Sequence, residues 1–139
     1  MTSCIFCEII AGRADSTKVF EDETCIAFMD INPINAGHVL VVPKTHATDL
    51  SDLSPEIGGR MFQMAQTVAN ALMKSGIKSE GINLMLAHRE AAGQKVFHVH
   101  LHVIPRFRGD NLMIKFGLLK KKPTQVELGQ VAALIKASL

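Results

Sequence analysis

The chain has 139 residues, 47% of them hydrophobic and 20% charged. That balance excludes a largely disordered chain, and the length suits one domain spanning 1–139. Fifteen Lys+Arg against thirteen Asp+Glu leave a formal charge of +2, too small for bulk attraction to nucleic acid. No apolar run approaches the ~20 residues of a membrane helix. Residues 1–8 lack a basic start followed by an apolar stretch, so no secretory signal is expected and the cytoplasm is the default compartment. Three cysteines, Cys4, Cys7 and Cys25, are too few and odd in number for a secreted disulfide framework. Arg106, Arg108, Lys115, Lys120, Lys121 and Lys122 gather late in the chain and read as a solvated basic face.

In chain order, residues 18–20 and 24–29 read as two short strands joined by the polar turn Glu21-Asp22-Glu23. Residues 39–42 are a β-branched run stopped by Pro43. Ser54-Pro55-Glu56 supplies a capping hydroxyl, a proline for the first helical position and an acid. Apolar residues at Ile57, Met61, Ala65, Val68 and Leu72 then predict a helix over 55–75, stopped by Gly76, with a core stripe of Met61, Met64 and Met73. Residues 82–86 and 96–104 read as strands around the polar loop 87–95, with Pro105 ending the second. Thr124 and Glu127 match a capping box, and Val126, Val131, Leu134 and Ile135 give the last helix an apolar face. The plan is α+β, with two helices and an antiparallel sheet of about five strands.

The informative segment is Phe97-His98-Val99-His100-Leu101-His102-Val103-Ile104-Pro105-Arg106. Strand side chains alternate, so His98, His100 and His102 share one face, about 6.5–7 Å apart, while Val99, Leu101 and Val103 point into a core. Aligned imidazoles can bind metal, titrate as a pH switch, or perform nucleophilic and acid–base chemistry. The turn before them, 91–95, holds Gly93, where backbone N–H groups can approach phosphate oxygens, then Gln94 with its amide and Lys95 with its cation.

His98-Val99-His100-Leu101-His102-Val103-Ile104 matches the alternating signature of the histidine triad (HIT) family. Cys4-Ile5-Phe6-Cys7-Glu8-Ile9-Ile10 resembles the opening of its bacterial members. Phe28-Met29-Asp30-Ile31-Asn32-Pro33 and the stretch from Gly37 to His46 are similar to its later blocks. The resemblance covers roughly 4–106, with 107–139 a less characteristic tail and helix, and it points toward the Hint- and Fhit-like nucleotide hydrolases. It implies a homodimeric HIT-like fold that binds purine nucleotides, cleaves at the α-phosphorus of nucleoside phosphoramidates or related adenine nucleotides, and releases a nucleoside monophosphate. His100 is then the nucleophile, forming a nucleotidyl-histidine. His102 hydrogen-bonds the phosphate and His38 orients the triad. Asp30, with Ile31 beside it, takes the ribose, and Gly93, Gln94 and Lys95 form the phosphate cradle. Dinucleoside polyphosphate hydrolysis, a weakly active nucleotide-binding regulatory module, and zinc held across all three triad histidines are the alternatives.

The chain departs from the family twice. Ala87 stands where many relatives carry asparagine, and Lys95 where serine or threonine is common; the pair reads as a change of substrate or rate. Cys4, Cys7, His46 and His98 form a Cys2His2 set, a normal tetrahedral zinc site, and some bacterial relatives bind zinc this way. A redox pair or two reduced thiols are the other readings of C-x-x-C. If His98 binds structural zinc, it is not the proton donor to the leaving group.

Overall fold

The computed structural model of the chain describes residues 3–111 and 122–139. Five strands form one antiparallel sheet in the order β1-β2-β3-β5-β4. They are β1 Lys18–Glu21, β2 Cys25–Met29, β3 Val39–Pro43, β4 Gly81–Met85 and β5 Leu101–Arg106. Asp22 closes the first turn, its carboxylate accepting from the N–H groups of Thr24 and Cys25, both at 2.8 Å. β2 and β3 are unbroken apolar runs because both faces of the sheet are covered there. Opposed residues of an antiparallel pair point to the same side. Met29 opposes Val39 and Val39 opposes Val103, and all three sit in the main core. Phe28 opposes Leu40 and Leu40 opposes His102, which puts His102 on the other face.

Two helices cover the first face. α2, Pro55–Lys74, starts as expected, with Ser54 Oγ accepting from Ile57 N–H at 3.2 Å. It buries Met61, Met64, Ala65, Val68, Ala71 and Leu72. Met73, expected in that stripe, is 47% exposed. The stop is made by serines: Ser75 and Ser79 hydroxyls both donate to the Leu72 carbonyl, at 2.9 and 3.0 Å. Gly76 is not left-handed; it is small because a Cβ there would lie 3.2 Å from Leu134 Cδ2. The last helix, called α3 here, is Gln125–Lys136, with both halves of the Thr124/Glu127 capping box formed. Its buried side is Leu128, Ala132 and Ile135, with Val131 half-buried, whereas Val126 and Leu134 are exposed. The face is thus rotated from the expected one.

Three further differences matter. Among the described residues there are three α-helices, not two, because Ile5–Ile10 forms a six-residue helix, α1, too short to declare itself by periodicity. It lies over the second face, where Phe6 packs with Ile26, Phe28, Leu40 and Val42. Strand β5 begins at Leu101, so residues 96–100 precede the ladder. Pro105 lies inside β5, opposite Ile82; β3 pairing ends at Val103, so the missing N–H deprives no β3 partner. Lys115, Lys120 and Lys121 fall outside the described residues, while Arg106 is bound to Asp110 and Arg108 to Glu80. Among the described residues, no helix is long and apolar enough to cross a membrane.

Candidate active site and metal cluster

Residues 96–100 are pinned outside the ladder by Val99 N–H donating to the Ala47 carbonyl at 2.8 Å. This parts the three histidines. His98 is fully buried beneath the start of α1. His100 and His102 line a cleft of about 750 Å³ on the second face, within the usual range for a small-molecule site. Their ring centroids are 5.0 Å apart, closer than the strand rise alone gives, because the rings tilt together.

Fixed donors and acceptors set the protons. A carbonyl only accepts, so His100 Nδ1–H donates to the His98 carbonyl at 2.8 Å. Nε2 of a neutral His100 then keeps its lone pair. Ile34 N–H donates to His38 Nδ1 at 3.0 Å, which puts the His38 proton on Nε2. That nitrogen lies 2.9 Å from His102 Nδ1 and 3.4 Å from Asp30 Oδ2. His102 Nδ1 therefore accepts, and His102 carries its own proton on Nε2. No buried side-chain polar atom among the described residues lacks a partner, so the two unpartnered Nε2 positions open on the cleft. Burial lowers His100 below its ordinary 6.5, against the pull of the His98 carbonyl and Asp30. Burial, then the neighbouring His38 and His100, push His102 down to about 4. Both rings are neutral at pH 7. Asp30, His38 and His102 also converge as three possible metal donors. With His38 Nδ1 accepting, its Nε2 must hold a proton and cannot ligate, so this trio is a hydrogen-bond relay.

The cleft brings together most of the expected site. Asp30, Ile31, His38, Gly93, Lys95, His100 and His102 all line it. Asp30 Oδ1 accepts from Asn32 N–H at 2.8 Å, an ordinary turn bond, with lone pairs to spare. Gln94 is the exception. Its buried Nε2 donates to the carbonyls of Thr48 (2.7 Å) and Val96 (3.1 Å), and its Oε1 accepts from Arg89 N–H (2.7 Å). Both amide protons are spent on backbone carbonyls, so the Gln94 side chain braces the loop beside the cleft and does not face into it. Ala87 does not line the cleft. Sequence reasoning missed the apolar wall of Ile5, Phe6, Ile9, Phe28 and Leu40, and the rim residues Asp15, Ser16 and Lys122. A six-residue helix carries too little periodicity to mark Ile5, Phe6 and Ile9 as a wall from sequence.

Behind the cleft, Cys4, Cys7, His46 and His98 point one donor atom each at a common centre. Cys4 Sγ and Cys7 Sγ lie 3.3 and 3.6 Å from His98 Nδ1; His46 Nδ1 lies 3.3 Å from Cys7 Sγ and 3.1 Å from His98 Nδ1. Tetrahedral zinc bonds to nitrogen and sulfur place neighbouring donors about 3.3–3.8 Å apart, so the set fits. His98 Nε2–H donates to the Pro43 carbonyl at 2.8 Å, which directs the Nδ1 lone pair at the centre.

The family profile of the HIT domain matches residues 11–109. The chain belongs to the HIT family. Among HIT relatives, a HIT-like protein of Borreliella burgdorferi is 44% identical over 119 residues, covering 84% of this chain and 85% of that protein. The adenylylsulfatase HINT3 of Arabidopsis thaliana is 38% identical over 109 residues, which cover 78% of this chain and 55% of that protein. A Zn-bound histidine triad family protein from Mycobacterium smegmatis superposes with a TM-score of 0.87 at 38% identity, over 98% of this chain and 92% of that one. A solved HIT structure thus shares this fold over nearly the whole chain.

Proposed function

We propose that this HIT protein is a nucleotide-binding hydrolase that cleaves at the α-phosphorus of nucleoside phosphoramidates or related adenine nucleotides. The observation that carries the reading is the His100 proton: it is committed to the His98 carbonyl, leaving Nε2 as an open nucleophile. Nε2 attacks phosphorus, the N–P bond forms, and the leaving group departs with its electron pair. Nδ1 keeps its proton, so the nucleotidyl-imidazolium is cationic and steadied by the same carbonyl. Water then attacks phosphorus and the N–P pair returns to Nε2. The nucleoside monophosphate leaves, and the water's proton is released. His102 Nε2–H donates to a phosphate oxygen as charge develops, held in that tautomer by His38. Asp30, beside Ile31, accepts from the ribose hydroxyls, the wall around Phe6 and Phe28 takes the purine, and Gly93 and Lys95 complete the phosphate cradle.

One observation favours anhydrides over amides within this class. A departing amine needs a proton, whereas a departing sulfate or phosphate needs a counter-charge. Both His98 nitrogens are occupied away from the cleft, and His102 is held neutral. The cations at the mouth are Lys95 and Lys122, neither of which makes an ion pair among the described residues. The adenylylsulfatase relative supports the same preference.

Zinc suits the Cys4, Cys7, His46 and His98 set; it would tie the N-terminal segment to the residues before β5 as a structural ion. A homodimer is the proposed assembly, with the outer edge of β4 and the exposed Phe62 of α2 as its contacts; sedimentation tests it. For the activity, adenosine 5′-phosphoramidate, adenosine 5′-phosphosulfate and diadenosine polyphosphates are incubated with protein, and AMP is measured by chromatography. AMP release that His100→Ala abolishes is expected. No AMP from any of the three, with the fold intact, refutes the hydrolase. AMP that binds tightly without being formed would instead establish the regulatory module.

A further inference from the structure

Helix α1 and residues 96–100 each belong to two sites at once. Cys4 caps α1 and Cys7 lies in its first turns, and both face the metal cluster. Ile5, Phe6 and Ile9 of the same helix wall the cleft. The buried Phe6 ring meets three others edge-on: His100 at 5.2 Å, His98 at 5.8 Å and Phe28 at 5.4 Å between centroids. His98 points Nδ1 into the cluster, while its carbonyl takes the His100 proton.

We propose that the four-donor cluster and the nucleotide cleft are coupled through Phe6 and the His98 carbonyl, so that a metal ion in the cluster raises nucleotide affinity. Phe6 is the positioning residue for His100. A six-residue helix has almost no stability of its own. Its place depends on the apolar contacts of Phe6 and on whatever ties Cys4 and Cys7 down. An ion exchanges sulfur–nitrogen contacts of 3.3–3.6 Å for coordinate bonds of about 2.0–2.3 Å. That fixes α1 against residues 96–100. It holds Phe6 on the edge of His100 and holds the acceptor that sets the His100 tautomer. Affinity follows because the ion has already ordered the wall and nucleophile that a nucleotide would otherwise have to order.

The inference rests on the nucleotide reading above, and its test separates the two. AMP affinity is measured by calorimetry on the full chain, zinc-loaded and chelator-stripped, with circular dichroism confirming the fold. Zinc affinity is measured by chelator competition with and without AMP. We expect loading to tighten AMP about five- to twentyfold, and AMP to tighten zinc by the same factor, since coupling is reciprocal. In Phe6→Leu the factor between zinc-loaded and stripped forms should shrink toward one. The ¹⁵N shifts of His100, characteristic of a single tautomer in the loaded wild type, should move toward the average of two. Equal AMP affinity in both forms overturns the proposal, as does a chain that takes up no zinc, or a Phe6→Leu variant that keeps the full factor. If stripping unfolds the chain, the zinc-side factor in wild type against Phe6→Leu decides. A loaded protein that does not bind AMP defeats the nucleotide reading itself.

Discussion

Replacing Gln94 by alanine should damage the fold far more than it weakens nucleotide binding. Gln94 is 3% exposed, and its side chain serves three backbone groups at 2.7, 2.7 and 3.1 Å. At a net ~0.5–1.5 kcal/mol each, the three bonds are worth about 1.5–4.5 kcal/mol. An offset comes from Arg89, whose N–H is one of the partners and whose backbone sits at φ 74, ψ 167. Freeing that conformation returns part of a strain of about 1–3 kcal/mol. The net loss should be about 2–3 kcal/mol, a fall in Tm of about 6–15 °C for a chain of this length. Urea and thermal unfolding at equal metal loading measure it, alongside AMP affinity on the folded variant. An unchanged Tm with AMP affinity down tenfold would mean that the amide contacts phosphate directly, and the loop-clamp assignment would be wrong.

The same loop gives a sign test: Arg89→Gly should be more stable than Arg89→Ala in thermal unfolding. Both variants lose the exposed pair with Asp49, but glycine tolerates the backbone at φ 74 whereas alanine keeps its strain; the reverse order would mean that residue 89 is not strained. Because His102 is depressed from 6.5 to about 4, the unfolded chain takes up its proton first as pH falls. The stability this neutral ring contributes is whole above pH 6.5, is lost as pH drops toward 4, and should fall by about 2 kcal/mol between pH 7 and 5. His102→Gln should flatten that part of the profile, and an identical slope would contradict it. Lys95→Ala should lower the ratio of kcat/KM for adenosine 5′-phosphosulfate over adenosine 5′-phosphoramidate by about tenfold or more. An unchanged ratio would leave Lys95 without a role at the leaving group.

The alternating histidines were legible because period two needs no knowledge of partners, and Val99, Leu101 and Val103 do fill the core. What alternation could not reveal is where pairing starts. The Val99–Ala47 bond holds residues 96–100 off the ladder, where His98 meets the cysteines while His100 and His102 stay on the cleft. C-x-x-C announced the donor set, yet concealed that Ile5, Phe6 and Ile9 between and after the cysteines are cleft wall. Gln94 and Gly76 look, in sequence, like a phosphate-binding amide and a helix stop. Their actual roles depend on Arg89, Thr48 and Leu134, which are 5, 46 and 58 residues away and were invisible as neighbours in sequence. The rotated face of α3 has the same origin. Its four apolar residues suit a helix, but which side is buried depends on where the helix lands on the sheet.

The central claim is that neutral His100 attacks phosphorus and is itself nucleotidylated. Rapid acid-free quenching during turnover of adenosine 5′-phosphosulfate, followed by peptide mass mapping, tests it most directly. The account predicts an acid-labile adenylyl group on His100, formed and lost at rates that match AMP release. AMP production with His100 never modified, or an adduct on His102 instead, would contradict it.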